Sequence, residues 1–534
     1  MKKVFFNIAA LFFAGLIFVS CGESSKTPDE QFKSVVRTSL MDSTNKFANG
    51  LDETFSQIDF SNLGGNATIT ISIDDTTAGI VKGLLQNEFG NVKIDWLKSL
   101  SISAKSSMKN ETSQLALGLG LNGVNIFTID CIEDIQNSKI YLRLPEVLKD
   151  YFQIDAKKSG ISLKDTMDLY FSKIKLLKSA PSKQVFTAFI DELLSAALSG
   201  VNGVERTKET LKAGLDASKE VSAEYTALSF AITPEYAELA SKYVKTAINE
   251  SKNLRSILDW AVPIINSSLL SELSVSDVIK NMSDATEEFF LSLAELENSS
   301  LIVYADSKSK MTGAKLVTSE GYVQSIFTRK GNSFAYDMRA VDSDFDEEII
   351  SVCGFGSCSG KKITGDFKVS EDMDELFSFS VDNISLDDFN QLKANGAITL
   401  RPGKDLQRDI QRELRYSGLD RSVVSLFENC AFTLKMQQKS RTSGASELIL
   451  GDGNEKSYVS LKVDSLAKKA DNITIPQDSV DVLNLAPESI ENYIRSIKTD
   501  EITANLKKAN VDDEYVDKIS KLNGEEIMSL IESF

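Results

Sequence analysis

The chain has 534 residues, with 59 Lys and Arg against 77 Asp and Glu, a net charge of −18, and no histidine. Without histidine there is no Ser-His-Asp triad, no Cys-His pair and no histidine-ligated zinc, and the acidic balance argues against a nucleic-acid partner, which needs a basic face. The 42% hydrophobic and 25% charged residues are typical of a globular protein long enough for three or four domains of ~150 residues.

The first twenty residues have the pattern of an export signal. Lys2 and Lys3 precede an apolar run over residues 4–19, which ends in small residues. This run is shorter than the ~20 apolar residues that a membrane-spanning helix needs. Residues 1–20 therefore predict a cleaved signal peptide.

The cysteine that follows this run predicts a lipid anchor. Phe18-Val19-Ser20-Cys21 resembles the bacterial lipobox, with Phe18 where that pattern prefers Leu. The resemblance implies that Cys21 is acylated and becomes the new N-terminus, and that the membrane is the partner of this end. Residues 21–28 then predict a flexible tether. Removing residues 1–20 takes away two lysines and no acid, so the charge changes from −18 to −20.

The residue after the cysteine bears on localisation. Gram-negative sorting rules retain lipoproteins with Asp at this position in the inner membrane, and here the residue is Gly22. The resemblance implies the outer membrane, on its periplasmic or surface side, if the source is Gram-negative. For a Gram-positive source it implies the outer face of the cytoplasmic membrane.

Period-two patterns dominate the next part of the chain. Residues 29–58 predict a helix, and residues 66–145 then alternate apolar and small polar side chains, as in Ile69, Ile71 and Ile73. Such alternation is typical of antiparallel strands with one face on a core. Residues 66–145 therefore predict a β-meander.

Residues 146–298 predict a helical insert interrupted by one strand. Ser162 is expected to cap an amphipathic helix, a second helix is expected over 184–199, and a strand is expected around Leu228–Ile232. Pro234 suits the first position of the helix that follows this strand.

Residues 299–475 return to strand patterns, and residues 484–533 predict a helical tail. Within this second β-rich segment Cys353 and Cys358 lie between β-like runs. They are candidates for a disulfide across a four-residue hairpin loop. Metal binding by these thiols is disfavoured because no histidine or neighbouring thiol completes a ligand set. Cys131 and Cys430 are expected to be buried and to pack as small hydrophobic side chains. The sequence leaves open whether either of them forms a disulfide.

These patterns predict an α+β fold. We expect one or two long antiparallel β-meander sheets, half-barrel-like, that wrap helices, with a helical insert between two β-rich segments. The predicted division is signal peptide 1–20, tether 21–28, a first region 29–298 and a second region 299–534.

The layout resembles a known superfamily. An exported leader, a lipobox cysteine, a helix and a long meander with strand-Pro-helix units, such as Tyr141-Leu142-Arg143-Leu144-Pro145, are similar to the bacterial lipoprotein carriers. The resemblance implies a half-barrel sheet that holds acyl chains against helices. It is one of layout, and it assigns no ligand-contacting residue.

Three local motifs imitate catalytic or binding sites. Residues 118–123 match GxGxxG, but a β-like run follows where a dinucleotide site needs a helix. Residues 342–346 begin like a calcium loop and then lose its Gly and its final Glu. Residues 356–360 imitate a nucleophile elbow with Cys358 at its tip, and no histidine exists to activate the thiol.

The sequence thus favours a non-catalytic, lipid-anchored cell-envelope lipoprotein. We expect it to bind or carry an apolar ligand between sheet and helices, with no cofactor and no metal. The alternative is a structural or surface-interaction, adhesin-like lipoprotein without a small-molecule ligand. A carboxylate-based hydrolase is a third and weaker hypothesis, because facing acids cannot be identified from sequence. The sequence identifies no protein partner.

Overall fold

The computed structural model describes residues 26–56, 62–89, 93–109, 111–269, 272–296, 298–342, 347–385, 395–418, 424, 426–427, 430–440, 442–453, 456–522, 524–526 and 529. The predicted signal peptide and Cys21 lie outside this range.

The described part of the chain contains twenty strands. In chain order they are β1 Asn62–Ile73, β2 Ser99–Lys109, β3 Thr112–Leu121, β4 Val124–Asp134, β5 Lys139–Leu144, β6 Leu148–Asp155, β7 Glu205–Asp216, β8 Lys219–Ala231, β9 Ser300–Ala305, β10 Met311–Thr318, β11 Gly321–Lys330, β12 Ser333–Asp342, β13 Glu347–Ser359, β14 Lys362–Glu371, β15 Asp374–Ser385, β16 Asn395–Pro402, β17 Ala431–Ser440, β18 Ser443–Gly451, β19 Ser457–Lys469 and β20 Ser479–Asp481.

The described helices are fewer than the strands, and they do not alternate with them as in an α/β fold. In chain order they are α1 Pro28–Ser56, α2 Asp75–Phe89, α3 Leu163–Lys178, α4 Lys183–Leu198, α5 Pro234–Glu250, α6 Lys252–Leu269, α7 Val275–Glu295, α8 Lys404–Tyr416, α9 Pro487–Arg495, α10 Asp500–Lys508 and α11 Asp513–Lys521, with a 3-10 turn at Val482–Asn484. The fold is therefore a β-rich α+β fold, as predicted.

The chain divides into two compact units. Unit 1 takes in Met1–Ser56 and Lys175–Leu406, and unit 2 takes in Gln57–Ile174 and Gln407–Phe534. This differs from the predicted regions 29–298 and 299–534. The difference has a physical cause: β1 pairs with β19 as well as with β2, and pairing over such a separation leaves no trace in local periodicity.

Unit 1 is an antiparallel meander of ten described strands. Each strand from β7 to β16 hydrogen-bonds to the next one along the chain. The β7–β8 hairpin also packs across β11 to β13, so apolar residues of both faces are buried. The main core lies between β8 to β10 and a layer formed by α1, α4, α5 and α7.

Helix α5 illustrates how sequence positions this layer. Thr233 caps the helix, with its Oγ1 accepting a hydrogen bond from the Tyr236 backbone N–H at 3.2 Å. Pro234 occupies the first turn, as predicted. Ala237, Ala240 and Val244 are buried at the three- and four-residue spacing of one helix face.

Unit 2 holds the other ten described strands in the order β17-β18-β19-β1-β2-β3-β4-β5-β6-β20. All neighbours are antiparallel except β6 and β20. Helices α10 and α11 pack on the start of β4, where Ile126, Leu506, Val511 and Val516 form a buried cluster.

Local predictions hold for several elements and fail for others. The helix predicted over 29–58 spans Pro28–Ser56, and Ser162 caps α3 through Asp165 N–H at 3.2 Å. The predicted meander over 66–145 is interrupted by α2, and the helical insert contains two unpredicted strands, β6 and β7. The supposed strand-Pro-helix unit at 141–145 leads into strand β6, which pairs with β5, so that motif was misread.

Candidate functional site

An apolar cavity of about 140 Å³ lies inside unit 1, between the helix layer and the sheet. Helices α1, α4, α5 and α7 form one wall, and strands β8, β9 and β10 form the other. The lining residues are Phe32, Val36, Leu40, Leu194, Ala197, Leu198, Phe230, Ile232, Tyr236, Phe289, Phe290, Leu293, Leu301, Val303, Met311, Ala314 and Leu316.

Strand register builds the floor of this cavity. Phe230 lies opposite Leu301, and Leu301 lies opposite Leu316. Val303 and Ala314 pair in the next row on the same face. Because same-face residues of an antiparallel sheet align in rows across strands, three short strands present a continuous aliphatic and aromatic surface to the helices.

Aromatic contacts join the two walls. The Phe32 ring of α1 lies 5.9 Å from the Phe230 ring of β8, measured between centroids. The Tyr236 ring of α5 lies 4.6 Å from the same Phe230 ring in an edge-to-face arrangement. Phe32 is only 1% exposed, so the first turns of α1 close the cavity over β8.

Tyr236 carries the polar hydroxyl in the lining. Its hydroxyl donates a hydrogen bond to the Ala197 carbonyl of α4 at 2.8 Å. Burial raises the pKa of Tyr236 to about 12, so the phenol keeps its proton at an alkaline pH at which an exposed tyrosine ionises. The hydroxyl is directed to the end of a neighbouring helix, and its bond satisfies a carbonyl that has no partner further along that helix.

The lining defines what the cavity can do chemically. It contains no carboxylate, amine or thiol, and the Tyr236 hydroxyl is engaged by the Ala197 carbonyl. Apolar cavities of about 150 Å³ stay free of water and admit guests of the size of benzene. Ligand pockets for larger molecules measure ~300–1,000 Å³, so a longer apolar ligand requires the helix wall to move outward.

The candidate disulfide is not formed. Both cysteines belong to one continuous strand, β13, in which Cys353 lies opposite Asp337 and Cys358 lies opposite Ile363. Five residues of extended strand separate their Cα atoms by ~16 Å, far beyond the ~7 Å that a disulfide can bridge. Neither cysteine takes part in a disulfide. The hairpin prediction was wrong because the Gly-rich stretch between them continues the strand instead of turning.

The other cysteines are also unsuited to nucleophilic chemistry. Burial, followed by the charges of Glu133 and Asp130, raises the pKa of the Cys131 thiol to about 11. Burial also raises the pKa of Cys430 and of Cys358. Cys430 is buried as predicted and Cys131 is half-buried.

Two of the sequence motifs that resemble binding sites were a GxGxxG stretch and a calcium-like loop. The GxGxxG stretch ends in the β3–β4 hairpin, where Asn122 and Gly123 adopt φ angles of 49° and 80°, as a two-residue turn between strands requires. Most of the calcium-like stretch 342–346 lies outside the described residues. Among the residues that are described, no three acidic or thiol side chains gather as a metal-binding group.

Two buried carboxylates are held in structural networks. Asp130 accepts hydrogen bonds from Arg143 at 2.9 Å and Tyr151 at 2.5 Å. Asp337 accepts from Arg339 Nε at 2.6 Å. Asp130 belongs to unit 2 and Asp337 to unit 1, and each carboxylate is paired with a cation of its own unit, as a buried charge must be.

Sequence reasoning missed the cavity residues as a set. The strand at Leu228–Ile232 and the helix after Pro234 were predicted, but the cavity that they line together with α1 and β10 was not. No local pattern signals this set, because its members come from seven elements spread over residues 32–316.

Comparisons with known proteins add little to this geometry. No protein-family model matches the chain, and no curated protein matches it. Among solved structures, a mutant of the vaccine antigen transferrin binding protein B from Haemophilus parasuis aligns over 78% of this chain and 77% of that chain, with 7% identity and a TM-score of 0.10. A likeness of this size carries no argument about fold or function. Among the described helices, none combines the length and apolar character needed to cross a bilayer.

Proposed function

We propose that the protein is a non-catalytic, lipid-anchored lipoprotein of the cell envelope that holds an apolar ligand between the sheet and the helices of unit 1. The observation that carries this proposal is the apolar cavity, lined by seventeen side chains of which none is charged. In this interpretation the unit 1 sheet wraps its helices as the half-barrel of the lipoprotein carriers does.

The anchoring part of the proposal rests on the sequence. Acylation of Cys21 supplies the attachment, because several acyl chains at ~0.8 kcal/mol per buried methylene give durable binding. Helix α1 begins seven residues after Cys21 and supplies Phe32 to the cavity wall. The proposed location is the outer membrane in a Gram-negative source and the outer face of the cytoplasmic membrane in a Gram-positive one.

Benzene provides a probe matched to the cavity volume. Ala314 is 2% exposed and lines the cavity, so Ala314→Leu places three additional carbons inside it. We expect benzene to raise the thermal unfolding temperature of the full chain, and we expect this shift to be lost in Ala314→Leu. Binding to the folded state alone stabilises it in proportion to ligand concentration.

The matched control is Ala231→Leu, which makes the same change at an exposed position at the end of β8. This variant should keep the benzene shift. Ala197→Leu on α4 fills the cavity from the opposite wall and serves if Ala314→Leu does not fold. An unchanged unfolding temperature for the wild type in benzene, together with no co-purifying apolar molecule, would favour the structural or surface-interaction alternative.

A further inference from the structure

The centre of the unit 2 sheet presents an uncovered aliphatic face. Across three neighbouring strands, Leu461, Ile71 and Leu100 lie side by side in one row, and Val463, Ile69 and Ile102 lie in the next. These six side chains are 36–54% exposed. We call this surface, with its continuation onto adjacent strands, the aliphatic face.

The aliphatic face continues across seven strands in register, from Leu434 on β17 to Ile129 on β4. Leu448 and Leu434 extend the first row on one side, and Leu119 extends the second row on the other. These three side chains are also 36–45% exposed. With neighbouring strands ~4.8 Å apart, the face is about 29 Å long.

The opposite side of the same strands is polar. Thr68, Thr70 and Ser101 alternate with the aliphatic residues along β1 and β2. An antiparallel sheet with one polar and one aliphatic face ordinarily packs the aliphatic face against a core. The alternation in these strands predicts that the aliphatic face is covered. In the single chain, however, the described side chains of this face remain exposed.

The size of the face matches a protein interface. A dozen aliphatic side chains about 40% exposed amount to on the order of 900 Å², above the ~300–600 Å² of the largest apolar patch on a typical monomer. Each partner in a standard stable interface buries ~800 Å². A second aliphatic surface of about the same area would therefore be large enough to cover the aliphatic face.

The composition favours a second copy over other occupants. The exposed members are Leu, Ile and Val, without the Trp, Tyr and Arg anchors typical of interfaces between different proteins. Interfaces between identical subunits are the more apolar class. A single acyl chain on an open face is covered on one side only, whereas small-molecule sites bury 70–90% of the ligand surface.

Packing two copies about a two-fold axis also accommodates the large aliphatic side chains of each face. Ala67 and Ala104 lie opposite each other in the row next to Ile69 and Ile102, which leaves a shallow recess beside a ridge. Two such faces related by a two-fold axis can place ridge in recess, with the sheets ~10 Å apart. We infer that the aliphatic face is the interface of a homodimer of this chain, formed sheet against sheet. This inference is independent of the unit 1 cavity.

The test is the mass of the full chain, measured by native mass spectrometry after release from detergent micelles. We expect twice the chain mass for the wild type at low micromolar concentration. Ile102→Glu should give the single-chain mass, with a dissociation constant at least 100-fold higher, because two carboxylates are desolvated in the interface. Thr70→Glu, on the polar side of the adjacent strand, should remain dimeric.

Folding and competing occupants are separated by further outcomes. Ile102 is 54% exposed in one chain, so Ile102→Glu should fold and keep the wild-type circular dichroism spectrum. If Ile102→Glu does not fold, the neutral variant Ile102→Ser replaces it and should form a weaker dimer than the wild type. A single-chain mass for the wild type overturns the inference. If that single chain carries lipid that is kept in Ala314→Leu and lost in Ile102→Glu, the face is assigned to lipid instead. Equal dimerisation of Ile102→Glu and Thr70→Glu also overturns it.

Discussion

Tyr236 connects two helices across the cavity wall, and this single hydrogen bond can be tested. Removing the hydroxyl in Tyr236→Phe leaves the Ala197 carbonyl without the donor that lies 2.8 Å away. We expect the free energy of unfolding to fall by about 0.5–1.5 kcal/mol. Chemical denaturation at pH 7 measures this change, and Tyr243→Phe at a 43% exposed position of the same helix is the control.

The same residue gives a pH dependence of known sign. Burial raises the pKa of Tyr236 to about 12, whereas an unfolded chain has a tyrosine pKa of ~10. The stabilisation is complete below pH 10, where both states are protonated. Above pH 10 the unfolded state loses its proton first, so the free energy of unfolding falls by up to ~1.4 kcal/mol for each pH unit until pH 12.

The expected result is a difference between variants. Other tyrosines with raised pKa values, such as Tyr151, also lower stability in alkali, so the wild type must be compared with Tyr236→Phe over pH 9–11.5. The wild type should lose more stability over this range than Tyr236→Phe, and Tyr243→Phe should follow the wild type. Parallel curves for all three proteins would contradict a buried, hydrogen-bonded phenol.

Helix α1 is the element that joins the predicted tether to the cavity. Its Asp29 carboxylate accepts a hydrogen bond from the Val204 backbone N–H at 2.7 Å, and Phe32 one turn later is 1% exposed. Phe32→Ala should lower the free energy of unfolding by about 3–5 kcal/mol, the cost of a lost contact and a new void. It should also enlarge the cavity, so that naphthalene binds where only benzene-sized probes fit the wild type.

Phe47→Ala on the same helix removes a phenylalanine that is 44% exposed, and it should cost far less and leave the probe preference unchanged. Equal destabilisation by Phe32→Ala and Phe47→Ala in urea denaturation would show that α1 does not seal the cavity.

Elements with strong periodicity were the predictable part of this fold. Pro234 and the spacing after it identify α5 from sequence, and the alternation at Ile69, Ile71 and Ile73 identifies β1. The Gly-rich stretch around Cys353 and Cys358 was misread, because glycine permits a turn without requiring one. The pairing of β1 with β19 brings together residues nearly 400 positions apart, which no local pattern encodes.

The cavity and the aliphatic face differ in how far sequence could indicate them. The alternation in β1 and β2 already predicts a face that must be covered. The cavity depends on how far seven elements approach one another, and this distance is set by side chains such as Phe230 that pack from several directions. Volume left between packed elements is a property of tertiary structure.

At the scale of the whole molecule, acylation of Cys21 is expected to determine where the protein resides. With a charge of −20 after removal of residues 1–20, the body has no electrostatic attraction to anionic lipid. Cys21→Ser should therefore move the protein from the membrane fraction to the soluble fraction and abolish palmitate labelling. Ser20→Ala, which keeps the cysteine, is the control and should remain labelled and membrane-bound.

The most direct measurement of the central proposal is the mass of apolar material held by the intact protein. The full chain is purified gently from its native membrane, and bound molecules are identified by native mass spectrometry followed by solvent extraction, for the wild type and for Ala314→Leu. We predict a stoichiometric apolar ligand on each wild-type chain and its loss from Ala314→Leu. An empty wild-type chain, or equal amounts of ligand on the two proteins, would contradict a ligand site between the helices and sheet of unit 1.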